Sequence, residues 1–386
     1  MTKINCGLVV KGFNFLGIKM GTLDTEVRNV RNVLRYTIGS GALGDLANIL
    51  APYREKGSGQ VLYFVDEYFE TSKPTLEKLD EMPGDRLVFI SAANEPTTSR
   101  VDEILLSLKN SGVTNPSAIV GMGGGVTMDI AKAVSNLYTN PGLAEQYQGW
   151  DLVKNPGVTK LAVPTISGTG AEATRTCVMT NGHTGLKLGM NSDFTVYDQI
   201  IMDPDLTASV PRNQYFYTGM DAYIHCIEAL AGSYRNPIGD AYSRETISLC
   251  RQVFSRGDMM ESERREKLMV ASYLGGCAIA TSYVGLVHPF SAGLSVVLGV
   301  HHCVANCIVM RAMKPFYPDE YDEFWAMVQQ QGVEIPKGLC SNLSDQEHEQ
   351  LYAATVVHAK PLTNALGQNY LDTLTSEVVK EMFKEM

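Results

Sequence analysis

The chain has 386 residues, and at roughly 150 residues per domain this length predicts two or three domains and excludes a single small binding module. Apolar residues make up 45% of the chain and charged residues 19%, which is enough apolar material for large cores and excludes a mostly disordered protein. The formal net charge is −10, and Lys and Arg form no block, so neither nucleic acid nor a membrane surface is expected as a partner.

Cysteine usage predicts a reducing compartment. The eight cysteines are scattered at irregular spacing: Cys6, Cys177, Cys226, Cys250, Cys277, Cys303, Cys307 and Cys340. In a long chain this pattern favours free thiols over a disulfide framework. The N-terminal stretch MTKINCGLVVKGFNFLGIK interrupts its apolar run with Lys11 and Lys19 and carries no small-residue cleavage pattern, so it does not resemble an export signal. We therefore expect a cytoplasmic protein.

The first half of the chain alternates short β-rich runs with helical segments. The runs with strand character lie at 35–38, 61–65, 87–90, 118–121 and 161–164. This repetition is typical of a parallel sheet covered by helices. After Asp203 and Pro204 the periodicity becomes helical, most clearly at 214–231, 240–254 and 263–280,. We predict an α/β domain over 1–205, an all-α domain over 206–386, and a ligand cleft between them.

One stretch raises the possibility of membrane insertion. Between Lys267 and Arg311, 43 consecutive positions carry no Asp, Glu, Lys or Arg, a length that could hold two spans of about 20 residues. The stretch also contains His288, the pair His301 and His302, and Asn306, all costly in lipid. Helices buried inside a domain are the favoured interpretation.

A glycine-rich turn between a predicted strand and helix suggests a phosphate site. In SAIVGMGGGVTMDIAK (117–132) the glycines are Gly121, Gly123, Gly124 and Gly125. Glycine lets backbone N–H groups approach a pyrophosphate, and the N-terminus of the following helix supplies partial positive charge. Val126 stands where a third motif glycine would be, so a purely structural turn stays open. Asp129 is either part of this site or a first-turn carboxylate that complements the helix dipole.

Two further features lie at strand ends in the same half. Asp66 ends the strand VLYFV, where a carboxylate could bind a ribose diol and repel a 2′-phosphate; a solvated loop acid is the alternative,. The loop PTISGTGAE (164–172) presents the hydroxyls of Thr165, Ser167 and Thr169 between glycines. Two glycine-rich loops at one edge of a parallel sheet favour a dinucleotide over a mononucleotide, so the sheet of the first domain is predicted to bind one.

A carboxylate and several imidazoles in the second half predict a metal site. Asp221 and His225 are four residues apart, which on a helix places them one turn apart on one face. His288, His301 and His302 follow in the uncharged stretch, where neutral unpaired histidines would be costly. One Asp and three His suit Zn²⁺ or Fe²⁺. A thiolate zinc site is the alternative, although the nearby cysteines form no C-x-x-C pair.

These segments together resemble a known family. GMGGGVTMDIAK is similar to the GGGSxxDxAK turn of the iron-dependent (group III) alcohol dehydrogenases, whose fold is like that of dehydroquinate synthase. PTISGTGAEAT resembles their P-T-x-S-G-T-G-[SA]-E loop, and GMDAYIHCIEAL and GLVHPF…HHCVAN resemble their metal-ligand segments. The motifs occur in the family's order from about residue 35 to 310, and the last 75 or so residues add little.

The resemblance assigns roles to individual positions. It implies that the metal ligands are Asp221, His225, His288 and His302. It implies pyrophosphate contacts from Gly123, Gly124 and Gly125, contacts near the nicotinamide from Thr165, Ser167 and Thr169, and a preference for NAD from Asp66. Asp129, in the same turn motif, is taken as a further cofactor-binding residue. Val126 departs from the family's usual Ser. Many members also have a histidine where this chain has Ala292, so the proton would leave through solvent or through His301.

The resemblance also implies a reaction. The expected enzyme oxidises a primary alcohol to an aldehyde with Fe²⁺ or Zn²⁺ and NAD, with molecular oxygen as final acceptor left open. Within the family the pattern looks most like the dehydrogenases that oxidise the C8 hydroxyl of 3-deoxy-manno-octulosonate for lipopolysaccharide sugar biosynthesis. Arg175 and Lys187 could hold such a substrate, although surface solvation is the simpler role for both. Oxidation of glycerol or another small alcohol, a dehydroquinate synthase-like lyase and a non-catalytic binding protein are the alternatives, and a homodimer is the default assembly.

Overall fold

The computed structural model describes residues 30–386. Cys6 and the N-terminal stretch that was compared with export signals lie outside the described residues. The described chain begins with an α/β half and continues as helices, so the predicted fold class is confirmed.

A six-stranded parallel sheet forms the centre of the first half. Its strands are β1 (Arg35–Ile38), β2 (Val61–Asp66), β3 (Arg86–Ile90), β4 (Ala118–Gly123), β6 (Lys160–Pro164) and β9 (Gln199–Met202), in the spatial order β1-β9-β6-β4-β2-β3. All the strand pairs in it are parallel. The predicted strands agree with the first five of these within a few residues at each end, whereas β9 was not predicted.

The central strands are apolar throughout because helices cover both faces of the sheet. On β2, Leu62 and Phe64 pack toward one helical layer, and Val61, Tyr63 and Val65 pack toward the other. The helices of this half are α1 (Leu46–Arg54), α2 (Lys73–Leu76), α3 (Thr98–Asn110) and α4 (Gly125–Thr139). The carboxyl ends of β2, β4 and β6 are neighbours at one edge, which is where ligands bind in open parallel sheets.

A second, smaller sheet was missed by the sequence analysis. Its strands are β5 (Gly149–Trp150), β7 (Thr176–Thr180) and β8 (Lys187–Asn191), in the order β5-β8-β7. β7 and β8 form an antiparallel hairpin in which Cys177 pairs with Met190. The alternation of polar and apolar residues in TCVMT is short and the segment KLGMN contains a glycine, so the strand signal there is weak.

The remainder of the described chain is helical. The long helices of this half are α5 (Arg212–Ala231), α6 (Pro237–Phe254), α7 (Ser262–Ser282), α8 (Val287–Leu298), α10 (Pro318–Gln331) and α11 (Asp345–Val356). The shorter ones are α9 (His302–Val309), α12 (Ala359–Leu366), α13 (Tyr370–Thr373) and α14 (Ser376–Lys384). They enclose one large apolar core. The domain boundary at residue 205 stays a prediction.

The uncharged stretch forms α7, α8 and α9 near the middle of this helical half. Most side chains of α7 and α8 from Leu268 to Leu294 are buried. Within residues 30–386 no single helix has both the length and the apolar character to cross a membrane. The pair α7 and α8 would meet that test together, but their axes are bent by 104°.

Candidate active site

A cavity of about 920 Å³ connects the edge of the large sheet with the helical half. On the sheet side it is lined by Asp66, Gly124 and Gly125. On the helical side it is lined by three of the histidines singled out from the sequence, His225, His288 and His302. Residues that are distant in the chain therefore face one space.

Three of the predicted metal ligands converge at one end of this cavity. One ligand atom each from Asp221, His288 and His302 lies within 4.8 Å of the others. The Asp221 carboxylate is fully buried on α5, with Oδ1 3.4 Å from His288 Nε2 and Oδ2 3.9 Å from His302 Nε2. The neighbouring imidazoles hold the pKa of Asp221 well below its usual range against the opposing effect of burial. A buried carboxylate facing imidazole nitrogens is a suitable donor set for a divalent cation.

His225 lies beside this group. Its Nε2 is 3.3 Å from Asp221 Oδ1, and its ring stacks on that of His288 with 4.8 Å between centroids. Burial lowers its pKa to about 4. Its Nδ1 is buried without a hydrogen-bond partner among the described residues. His225 faces the cavity, but it lies outside the trio whose ligand atoms are mutually close.

Glu228, which was not predicted from the sequence, holds His288. Glu228 is fully buried on α5, seven residues after Asp221. One carboxylate oxygen accepts a hydrogen bond from the backbone N–H of Val287, at the start of α8, and the other pairs with His288 Nδ1. Burial alone would lower the pKa of His288, but Glu228 and Asp221 outweigh it and raise that pKa to about 9. The spacing of Glu228 from Asp221 on one helical face was the signal available in the sequence.

Asn306 was also missed, although it stands in the HHCVAN segment. Its side-chain amide nitrogen is 2.7 Å from Asp221 Oδ1 and 3.4 and 3.3 Å from the Nε2 atoms of His288 and His302. One atom each from Asp221, His288 and His302 therefore lies around the positively polarised NH₂ group of Asn306. This observation supports the fit of a cation to the site.

The cysteines do not form the alternative thiolate site. Cys303 Sγ lies 3.5 Å from Asp221 Oδ2, as a thiol donor would, and burial raises its pKa well above the usual value. Burial likewise raises the pKa of Cys226 to about 12, and its neighbours there are Thr246 and Ser243. Cys307 is closest to the backbone carbonyl of Tyr217. All three remain protonated core residues in this geometry.

The glycines of the glycine-rich turn have two different surroundings. Gly124 and Gly125 line the cavity where α4 begins, so the helix N-terminus faces that space. Gly123 does not line it, and a Cβ there would lie 2.7 Å from the side chain of Thr127. Close packing of the strand against the helix therefore requires glycine at position 123. The cofactor contact predicted for Gly123 from the sequence is not supported by its position outside the cavity lining.

Asp129 is a cavity residue rather than a solvated first-turn acid. Its Oδ2 accepts a hydrogen bond of 2.9 Å from the backbone N–H of Val178 on β7. Burial raises its pKa to about 6, opposed by the nearby charge of Lys132. Asp66 also lines the cavity at the end of β2, where burial raises its pKa and its Oδ1 accepts a bond from the N–H of Tyr68.

The second glycine-rich loop differs from its prediction. Thr169 lines the cavity, but Thr165 and Ser167 are buried elsewhere, and Ser167 Oγ has no hydrogen-bond partner among the described residues. A Cβ on Gly168 would lie 1.5 Å from the carbonyl oxygen of Thr218 on α5, and one on Gly170 would lie 2.7 Å from Gly276 on α7. The loop is wedged against the helical half, so its glycines serve contact between the two halves.

The residues suggested for substrate binding have different surroundings. Lys187 lines the cavity, and its Nζ lies 3.1 Å from Oε2 of Glu95. The Oε1 atom of Glu95 accepts a hydrogen bond of 3.0 Å from the backbone N–H of His302. Arg175 also lines it but pairs with Asp151 and lies 3.2 Å from Asp193. His301, the candidate proton relay, is an exposed residue at the rim of the cavity. Glu95 was not found from the sequence.

Comparisons with known proteins agree with this architecture. Residues 34–204 match the family model "Iron-containing alcohol dehydrogenase", and residues 215–380 match "Fe-containing alcohol dehydrogenase family, C-terminal". The chain is 31% identical to the sulfoacetaldehyde reductase of Bilophila wadsworthia over 60% of each protein. It is 28% identical to the NAD-dependent methanol dehydrogenase of Bacillus methanolicus over 71% of each.

Solved structures share the fold. A 1,3-propanediol oxidoreductase superposes with a TM-score of 0.78 at 21% identity, covering 92% of this chain and 99% of that one. The sulfoacetaldehyde reductase of Bifidobacterium kashiwanohense in complex with NAD⁺ gives a TM-score of 0.75 at 21% identity, covering 92% and 97%. With both family models matched in order along the chain, this protein belongs to the iron-containing alcohol dehydrogenase family.

Proposed function

We propose that this protein interconverts a primary alcohol and its aldehyde with NAD and a bound divalent metal ion. The observation that carries the proposal is the single cavity, which reaches both the Asp221, His288 and His302 group and the Gly124–Gly125 turn. A metal held by the first group and a dinucleotide whose pyrophosphate binds at the turn would therefore share one cavity with the substrate.

Each group of residues has a task in this reaction. Asp221, His225, His288 and His302 would hold the metal, iron by family and zinc as the alternative. When bound, such an ion lowers the pKa of a hydroxyl oxygen, and the nicotinamide accepts hydride. Glu228 fixes the ring of His288, and Asn306 fixes the carboxylate of Asp221. The α4 N-terminus favours the pyrophosphate, and Asp66 accepts hydrogen bonds from a ribose diol.

For the substrate we propose the C8 hydroxyl of 3-deoxy-manno-octulosonate. Lys187, Arg175 and Lys360 place cationic side chains in the lining of the cavity. A sugar acid carries a carboxylate, which such cations would attract. Glycerol or another small neutral alcohol remains the second candidate because the methanol dehydrogenase relative acts on one.

NADH formation on matched substrates tests this proposal. We expect kcat/KM for the sugar acid to exceed that for glycerol and neutral alditols. Lys187→Met should lower the sugar-acid value by roughly 10-fold to 100-fold more than the values for neutral alditols. Equal loss on neutral alditols would show that Lys187 does not recognise the carboxylate. Turnover without net NADH would instead indicate a dehydroquinate synthase-like lyase. Oxygen uptake in the same assay would reveal an oxidase.

Metal analysis tests the other half of the proposal. Protein purified without oxygen should contain about one iron or zinc per chain, and Asp221→Ala and His288→Ala should lose both metal and activity. Full activity in either variant would remove the metal from the mechanism. Two expectations accompany the proposal: a cytoplasmic location, supported by seven buried free cysteines, and a homodimer, which sedimentation would test.

A further inference from the structure

The last quarter of the chain contributes an imidazole to the cavity. His358 precedes α12 and lines the same cavity as His288 and His302. No described residue makes a hydrogen bond with its ring, and it is not one of the metal-site residues. On α8, the cavity-lining residue one turn after His288 is Ala292, which carries no titratable group.

Buried hydrogen bonds fix the helix that carries His358. Asn364 on α12 is buried, and its amide nitrogen donates to the carbonyl oxygens of Ser282 and Val284, in the turn that leads into α8. Its side-chain oxygen accepts the backbone N–H of Tyr234 at 2.9 Å. α12 is therefore attached to the segment that precedes α8, and His358, at its start, lines the cavity that also contains His288.

The surroundings of His358 keep its ring neutral. Burial lowers its pKa to about 4, and the positive charges of Lys187 on β8 and His288 on α8 act in the same direction. On its own helix the nearest charged residue is Lys360, whose ammonium lies over the Trp150 ring, 4.2 Å from the centroid. A neutral imidazole with an unoccupied ring nitrogen can accept a proton.

Outside the metal-site residues, several other proton acceptors of the cavity are already engaged in hydrogen bonds or are more exposed than His358. Glu95 binds Lys187 and the backbone N–H of His302. Asp129 accepts from Val178, at the cofactor side. His301 is more exposed than His358.

We propose that His358 is the catalytic base that accepts the proton of the substrate hydroxyl, an inference that rests on the proposed dehydrogenase function. The O–H bond breaks and its proton goes to a ring nitrogen of His358. The C–H electron pair leaves as hydride to the nicotinamide, and the C=O bond forms in its place. The proton then passes to water at the mouth of the cavity. In aldehyde reduction the carbonyl carbon accepts hydride from the nicotinamide, and His358 donates its proton to the alkoxide oxygen that forms.

Substitution with chemical rescue tests this role. His358→Gln should lower kcat about 100-fold, the lower end of the range for general acid–base catalysis, with metal content and NAD affinity unchanged. Added imidazole should restore much of the rate of His358→Ala, because a free base can occupy the vacated space. His183→Gln serves as the control, since His183 is exposed and lies outside the cavity.

The outcomes separate the two proposals. An active parent whose His358→Gln variant keeps its kcat, or whose His358→Ala variant gains nothing from imidazole, overturns the role of His358 alone. Loss and rescue in His301→Gln and His301→Ala instead would transfer the role to His301. Loss of bound metal in the His358 variants would show a structural effect and also overturn the inference. A parent that turns over no alcohol removes the proposed function and this inference with it.

Discussion

The two glycine-rich loops of the α/β half have similar composition and opposite surroundings. Gly124 and Gly125 open onto the cavity. Gly168 and Gly170 face away from it, against the backbones of α5 and α7. Both loops follow parallel strands at the same sheet edge. The comparison shows that glycine enrichment indicates close backbone approach, while the partner that approaches can be a ligand or another part of the protein.

The second loop (164–172) also affects the position of the metal site, because it packs against α5. Gly168 touches Thr218, and Asp221 follows Thr218 by three residues on the same helix. The position of the buried carboxylate therefore depends on the fit of a loop from the other half.

Alanine substitutions at one glycine of each loop should give the largest contrast. In Gly168→Ala the new methyl would lie 1.5 Å from the Thr218 carbonyl oxygen, at a φ of 134° that side chains rarely adopt. We expect a loss of more than about 4 kcal/mol of unfolding free energy, measured by denaturant unfolding, with loss of bound metal in whatever folds.

Gly125→Ala is the matched control. Its methyl would lie 3.7 Å from Thr169, an ordinary contact, and alanine suits the first turn of a helix,. We expect stability within about 1 kcal/mol of the parent but weaker NAD binding. Equal destabilisation by the two substitutions would remove the distinction between the loops.

The second-largest effect is expected at Glu228, where loss of the charge should lower the affinity for the metal. Glu228→Gln keeps the size of the side chain but cannot accept hydrogen bonds from both His288 Nδ1 and the Val287 N–H. Loss of such a partner of a metal-binding histidine typically costs 10-fold to 100-fold in metal affinity, which a competing chelator would measure. Glu323→Gln is the control, because Glu323 binds Arg251 and Tyr223 away from the cavity. Unchanged affinity in Glu228→Gln would contradict the positioning role.

Sequence motifs predicted the metal-site group of Asp221, His288 and His302, which the structure brings together, and the turn of Gly124 and Gly125, which follows a strand directly. Glu228 and Asn306 were missed although they lie on the same helices as predicted ligands, because the motifs assign no role to them. Other residues were missed because they come from separate segments that no local period connects to the site. Glu95 reaches His302 across 207 positions, and His358 comes from a region without a recognisable motif. The β7–β8 hairpin was missed for a different reason, namely the weak strand propensity of its residues.

Substitution of Asp66 should lower the preference for NAD over NADP, by a smaller factor. Asp66→Asn removes the charge that would repel a 2′-phosphate but retains an oxygen for the N–H of Tyr68. We expect the preference for NAD over NADP in kcat/KM to fall about 10-fold, close to the worth of one charged hydrogen bond. Stability should stay unchanged because the hydrogen bond with the N–H of Tyr68 is kept, whereas Asp66→Ala should lose about 1 kcal/mol with that bond. An unchanged preference would support the alternative that Asp66 is a loop acid.

The smallest effect is expected at Ser167, where sequence and structure assign different roles. The resemblance implies a contact near the nicotinamide, whereas the structure buries the hydroxyl without a partner in the described chain. An unsatisfied buried hydroxyl destabilises a protein, so its removal is neutral or favourable. Ser167→Ala should therefore leave the KM for NAD unchanged and the Tm equal or slightly higher, while Thr169→Ala, which alters the cavity wall, should raise the KM. A several-fold rise in KM for Ser167→Ala would show that the loop rearranges when NAD binds and that the motif-based role is correct.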